Sequence, residues 1–175
     1  NVGIGETSPG ARLDVEGAND LNTTLSLQAR GATTTGLVVT NAGNVGIGTT
    51  NPVSTLNLDG ILSLKRVDIT VAGGSVNDDF DVGNTSFARI GMNAPGDHFS
   101  ITGITGGVDG RVLILYNTTA FNMTVKRAYN ALASEKKNQI WTESSSKDIV
   151  TTGAGTVILV YDSDRERWVV ISAWL

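Results

Sequence analysis

The sequence predicts an all-β protein, and three features of it carry that prediction. Val45 and Ile47 alternate with Gly46 and Gly48, and a period of two means extended chain. The runs Val112–Tyr116, Val157–Tyr161 and Trp168–Ile171 are short, rich in β-branched residues and bounded by Gly, Asn or Asp, as strands buried in a sandwich are. The one helix-compatible stretch, Asn130–Lys137, is short and uncapped, and reads as a loop with at most one helical turn. The expected architecture is an extended β region followed by an antiparallel β-sandwich or jelly-roll-like head.

The extended region contains an internal repeat. Asn1–Gly17 reads NVGIGETSPGARLDVEG and Asn44–Gly60 reads NVGIGTTNPVSTLNLDG, sharing the frame N-V-G-I-G-x-T-x-P-x-x-x-L-x-x-x-G. Pro52 breaks the first strand of the second copy, and Leu56 and Leu58 then resume the alternation. Two or three apolar side chains per strand make no core, and alternating Gly suits positions where another backbone comes close. Several chains winding together satisfy both conditions, with Val2, Ile4, Val45, Ile47, Leu56 and Leu58 as candidate interface residues; a single monomeric sheet is the competing reading. Between the copies, Leu25, Leu27 and Ala29, then the turn RGATTTG, then Leu37 and Val39 read as a β-hairpin.

Longer apolar runs begin at about Val67. Phe121, Met123 and Val125 alternate, which predicts a strand with one wet face, and YDSDRERW is a charged turn between two strong strands. GRVLILYN (Gly110–Asn117) echoes GTVILVYD (Gly155–Asp162), which suggests two similar hairpins in a fold with related halves. Trp168 and Trp174 are expected in core or interface packing. The domain limits read as an extended fibre region at 1–60, a neck at 61–73 and a head at 74–175.

Composition narrows the function classes. Cysteine is absent, which removes disulfides and thiolate chemistry, and with three prolines the raised glycine is not collagenous. The net charge is −4 and the Lys/Arg pairs are scattered, so nucleic acid is not an expected partner. No apolar run is long enough for a membrane helix, so membrane insertion is not expected. The chain opens Asn-Val-Gly without an initiator Met and is expected to be part of something longer.

Catalysis finds little support. The lone histidine, His98, lies in the loop-like APGDHFS, no G-x-S-x-G elbow accompanies it, and VGIGTT lacks the Lys of a phosphate loop. No cofactor is expected. Across a symmetry axis three copies of His98 could hold a metal, a weak candidate that loss of bound metal in His98→Ala would test. Asp162, Asp164 and Glu166 suit turn chemistry, while Asp78, Asp79 and Asp81 suit a solvated loop or a calcium site without the EF-hand pattern. Tyr129 beside Asn130, and Trp141 near Lys136 and the Asn138-Gln139 pair, suit stacking on sugar rings with hydrogen bonds to hydroxyls, with core packing of the two aromatics as the competing reading.

The element GNVGIGTTNPVSTLNLDG resembles the repeat of phage tail fibres and other fibrous adhesins, and FSITGITGGVDGRVLILYNTTAFNMTVK with IVTTGAGTVILVYDSDRERWVVIS resembles the tip domains of phage and prophage tail fibres. That resemblance implies a homotrimer, intertwined on its N-terminal side and attached to upstream fibre segments. It implies action on the virion tail fibre, assembled in the host cytoplasm, with a head that adsorbs to a cell-surface glycan or outer-membrane protein. A bacterial surface adhesin is the alternative, and a polysaccharide depolymerase a weaker one. Two departures limit the resemblance: there is no H-x-H run of the iron-binding tip needles, and no self-cleaving chaperone domain.

Overall fold

The computed structural model describes residues 1–21, 23–31, 34–93, 96–127, 134–142 and 147–174. The protein is all-β and divides into two compact units, Asn1–Ser63 and Leu64–Leu175.

In the first unit both repeat copies fold alike. Strands β1 (Val2–Ile4) and β2 (Leu13–Val15) pair in parallel, and after the antiparallel hairpin of β3 (Leu25–Arg30) and β4 (Thr35–Thr40) the same parallel pair recurs as β5 (Val45–Ile47) and β6 (Leu56–Leu58). The copies share their return hydrogen bonds: the Gly10 amide donates to Asp14 Oδ2 at 2.9 Å, and the Val53 amide to Asn57 Oδ1 at 3.1 Å. The backbone that approaches the glycines is the repeat's own. A Cβ on Gly3 would sit 2.6 Å from the Glu6 carbonyl oxygen, and one on Gly46 2.5 Å from that of Thr49. Gly48, at φ +79°, is also pressed against the Asp59 carbonyl, as Gly5 is against Glu16. Gly48→Ala adds about 1–2 kcal/mol of left-handed strain to a contact of 2.4 Å with backbone. The expected result is loss of amide hydrogen-exchange protection in β5 and β6 with protection of the second unit unchanged.

This unit has almost no core. Val38 is its single buried Val, Leu or Ile among the described residues, while Val2 and Leu56 are 59% and 66% exposed and Val53 and Ile61 at least 90%.

The second unit is a two-sheet sandwich. Strand β7 (Arg66–Val71) lies in one sheet, β8 (Val76–Asn77) in the other, and the chain keeps alternating through β9 (Phe87–Met92), β10 (His98–Ile101), β11 (Val112–Asn117) and β12 (Asn122–Val125). Neighbours β7, β9 and β11 are parallel, as are β8, β10 and β12. Each pair β7/β8, β9/β10 and β11/β12 is therefore one coil of a short β-solenoid. Strands β13 (Ile140–Trp141), β14 (Ile149–Thr151), β15 (Thr156–Asp162) and β16 (Arg167–Trp174) complete the sheet orders β13-β16-β15-β11-β9-β7 and β14-β12-β10-β8.

The expected antiparallel, jelly-roll-like pairing is thus corrected. Among the described strands of this unit, antiparallel pairing is confined to the β11–β15, β15–β16 and β12–β14 contacts, because successive strands switch sheet instead of folding back on a neighbour. The echo between Gly110–Asn117 and Gly155–Asp162 likewise does not mark two equal hairpins: β11 and β15 pair with each other. Their end residues explain the divergence. Asn117 is fully buried, its Nδ2 donating to the Phe121 carbonyl at 2.7 Å and its Oδ1 accepting from the Thr119 amide at 3.0 Å, so it holds a corner that leads into the other sheet. Asp162 instead accepts from the Arg165 amide at 3.1 Å and closes a tight hairpin. The segment 61–73, read as a neck, contains β7; Val67, Ile69 and Val71 give it a core-facing side.

The core lies between the sheets, from Ala88, Ile90, Leu113, Leu115, Leu159 and Trp168 on one side to Phe99, Ile101, Met123 and Val125 on the other. Trp168 is fully buried in it, whereas Trp174 is exposed. The far face of the six-stranded sheet is apolar at its centre, where Val112, Ile114 and Tyr116 on β11, Ile158 and Val160 on β15, and Val169 and Ile171 on β16 point away from the core, while Asp162 and Arg167 share that face beside the β15–β16 turn. Charge also gathers at its β7–β9 edge, where Asp68 pairs with Arg66 at 2.8 Å and with Arg89 at 3.2 Å.

Candidate functional site

Trp141 and Lys136, both singled out from the sequence, line one open recess together with Arg165 and Arg167. Trp141 is placed by β13, which runs parallel to β16 with Ile140 opposite Trp168 and Trp141 opposite Val169. Ile140 goes into the core, so by alternation Trp141 faces outward. Lys136 begins a 3-10 turn over Lys136–Asn138. Asp79 pins that turn, its Oδ1 accepting from the Glu135 amide at 3.2 Å and from Asn138 Nδ2 at 3.0 Å. Arg165 and Arg167 come from the β15–β16 hairpin, whose last loop residue, Glu166, adopts φ +52°, a left-handed conformation more usual for Gly or Asn at this place.

The charges around the recess are arranged unequally. Lys136 Nζ lies 2.6 Å from Glu166 Oε2 and Arg165 Nη1 lies 2.9 Å from Asp162 Oδ2. The Lys136 hydrogen bond, and then its charge, hold the Glu166 carboxyl below the ordinary glutamate range, with a smaller contribution from Arg167. Asp162 is lowered chiefly by the Arg165 backbone amide. Arg167 differs: its Nε donates to the Arg165 carbonyl at 3.1 Å, and among the described residues no carboxylate lies within ion-pair distance of it. The Arg167 and Arg127 guanidinium carbons stand 5.5 and 4.9 Å from the Trp141 ring centre, within cation–π range.

Tyr129 and Asn130 lie outside the described residues. Arg165 and Arg167 escaped the sequence reading because charged residues in a hairpin turn look like ordinary solvated loop. Only the β13–β16 pairing brings them to Trp141. The acidic stretch Asp78–Asp81 is spent on separate local partners: Asp78 accepts from the Thr102 hydroxyl, Asp79 holds the 3-10 turn, and Asp81 Oδ1 accepts from the Gly83 amide at 2.7 Å. Exposed His98 is hydrogen-bonded to neighbouring Asp97, whose carboxyl it lowers. Among the described residues no group of three His, Cys, Asp or Glu side chains within the chain could hold a metal.

Two segments of the stretches that resemble fibre tips, GGVDGRV (Gly106–Val112) and YDSDRERW (Tyr161–Trp168), meet in space. Gly107 packs closely against the Tyr161 ring, Asp109 Oδ1 accepts from the Ser163 amide at 3.0 Å, and Arg111 stacks over Trp168 with its guanidinium carbon 5.7 Å from the ring centre. Arg111 Nη2 also donates to the Gly83 and Thr85 carbonyls at 2.6 and 2.7 Å. Of these two segments only Arg165 and Arg167 line the recess, and the other residues named here build scaffold. Comparison with known protein families, curated proteins and solved structures finds no match to this chain.

Proposed function

We propose that the chain is the distal part of a phage or prophage tail fibre, a non-enzymatic homotrimer whose second unit binds a receptor on the host cell surface, either a glycan or an outer-membrane protein. The observation that carries the reading is the composition of the first unit. Among its described residues Val38 is the single buried Val, Leu or Ile, against a long series of exposed ones, Val2, Ile4, Ile47 and Leu56 among them. A repeat that cannot bury its own apolar face needs neighbours, and further copies of the same chain supply them in register. Val45 and Leu58, also candidate interface residues, are partly covered within the chain.

The outer face of the six-stranded sheet supports the same assembly. Strands apolar on both faces belong to sheets covered on both sides, and an apolar centre with charge gathered at an edge is the usual layout of an interface. The recess at the β13 edge, with its exposed indole and cationic groups, supports receptor contact. The sequence resemblance to fibre tips supplies the biological setting, with upstream fibre segments as partners and the virion tail as location.

Light scattering on a sizing column tests the assembly. The expected mass is three times the 18.3 kDa chain, with early elution for that mass; a compact monomer overturns the fibre reading. Retention of the fluorescently labelled protein on a panel of bacterial cells tests receptor binding, and a protein retained by no strain refutes that part.

A further inference from the structure

We propose that the recess formed by Lys136, Trp141, Arg165 and Arg167 accepts a single negatively charged sugar unit, with its anionic group in the Arg167 fork and its ring against Trp141. The inference rests on reading the second unit as a receptor-binding head, and it names the chemical class that the head would recognise.

Four observations converge on this chemistry. The first is electrostatic: the chain carries a net charge of −4, yet the recess gathers three cationic side chains, with Arg127 stacked close by on the same indole. Glu166 and Asp162 offset Lys136 and Arg165, which leaves the guanidinium of Arg167 as the local excess positive charge. Second, Arg167 is held but not consumed. Its Nε is fixed on the Arg165 carbonyl, and its terminal N–H groups have no acceptor among the described residues. A planar fork oriented through one nitrogen and open at the other two suits a carboxylate or phosphate, which it can bind through two parallel hydrogen bonds.

Third, the indole supplies an apolar wall. Trp141 is 36% exposed although its strand neighbour Ile140 is fully buried, so the ring is presented beside the charge instead of being folded into the core. Sugar rings offer C–H faces to such a surface and hydroxyls to the polar groups around it. Fourth, the recess measures about 260 Å³, just under the roughly 300–1,000 Å³ typical of sites for drug-sized ligands. That size suits one monosaccharide unit at a time. A neutral sugar would leave the open Arg167 fork without a charged acceptor, so discrimination should favour uronates, sialates and phosphorylated sugars.

Saturation-transfer NMR on the full chain, with galacturonic acid, N-acetylneuraminic acid and glucose 6-phosphate against galactose and glucose, tests the class directly. The acidic sugars are expected to bind more tightly than the neutral ones. Their binding should weaken with added salt and fall about tenfold or more in Arg167→Gln, the scale for losing a charge-assisted hydrogen bond. The carboxylate and phosphate arms report which anion the fork prefers. Unchanged circular dichroism and melting of Arg167→Gln establish that its fold is intact, and Arg167→Lys, which keeps the charge but not the fork, should recover only part of the binding. Neutral sugars binding as well as acidic ones, or acidic binding that survives Arg167→Gln, would overturn the proposal. So would inorganic phosphate displacing the sugars at equal concentration, because the site would then read the anion alone. Cell retention separates this inference from the broader one. Wild type retained by cells without competition from the acidic sugars refutes the sugar class and leaves receptor binding standing. Sugar binding without retention by any strain does the reverse.

Discussion

Replacing Trp168 by alanine is expected to remove about 3–5 kcal/mol from the stability of the second unit, the range for deleting a buried tryptophan. The side chain is fully buried, its Nε1 donates to the Ile104 carbonyl at 2.8 Å, and Tyr161 meets it edge-on with ring centres 5.4 Å apart. Truncation therefore opens a cavity, strands the Ile104 carbonyl and removes the surface on which Arg111 rests. Much of a small domain's total stability is at stake, since that is typically about 5–15 kcal/mol. Trp168→Phe separates the contributions: it keeps most of the apolar contact and loses the hydrogen bond, at an expected cost of about 1–3 kcal/mol. Urea unfolding followed by far-UV circular dichroism measures both. A Trp168→Ala midpoint equal to wild type would mean that the core closes over the gap.

Gly107→Ala is expected to be the next most damaging change. A Cβ there would lie 2.0 Å from Cε2 and 2.2 Å from Cδ2 of Tyr161. The ring has little freedom to retreat, because it is 9% exposed and backed by Trp168. Either the ring leaves its place or the loop lifts, and lifting the loop strains the Asp109–Ser163 contact and the bonds that Arg111 makes. The expected cost is about 1–3 kcal/mol, the range for an overpacked site. It should come with a changed near-UV spectrum as the Tyr161–Trp168 geometry shifts. An unaltered spectrum and midpoint would show that the glycine is not needed for packing.

The strands with the strongest local signal were legible from sequence alone. Val112–Tyr116, Val157–Tyr161 and Trp168–Ile171 all lie in strands, Met123 and Val125 turn the buried face of β12 inward, and YDSDRERW closes the β15–β16 hairpin. The partners of those strands were not legible. Periodicity reports that a segment is extended and which side is apolar, but not whether its neighbour runs parallel. That choice was made at corners such as Asn117, where one buried amide sends the chain across the sandwich, while the similar Asp162 lets it fold back. The alternating glycines of the repeat predict close backbone approach, and the backbone that approaches them within the chain belongs to the same copy. For the recess, Trp141 and Lys136 stood out as an aromatic near polar neighbours. Arg165 and Arg167 needed a long-range parallel pairing that no local pattern encodes.

The coiled path of the second unit constrains how such a head can change in length. Each coil contributes one strand to each sheet, as β9 and β10 do between β7/β8 and β11/β12. Inserting one residue within β9 would turn every later residue of that strand to the opposite side, spoiling its match with β7 and β11 together. Inserting a complete coil would extend both sheets by one rung and leave every existing contact inside the neighbouring coils in register. Longer and shorter relatives of this head should therefore differ by whole coils, and additions of a few residues should collect at the corners between sheets.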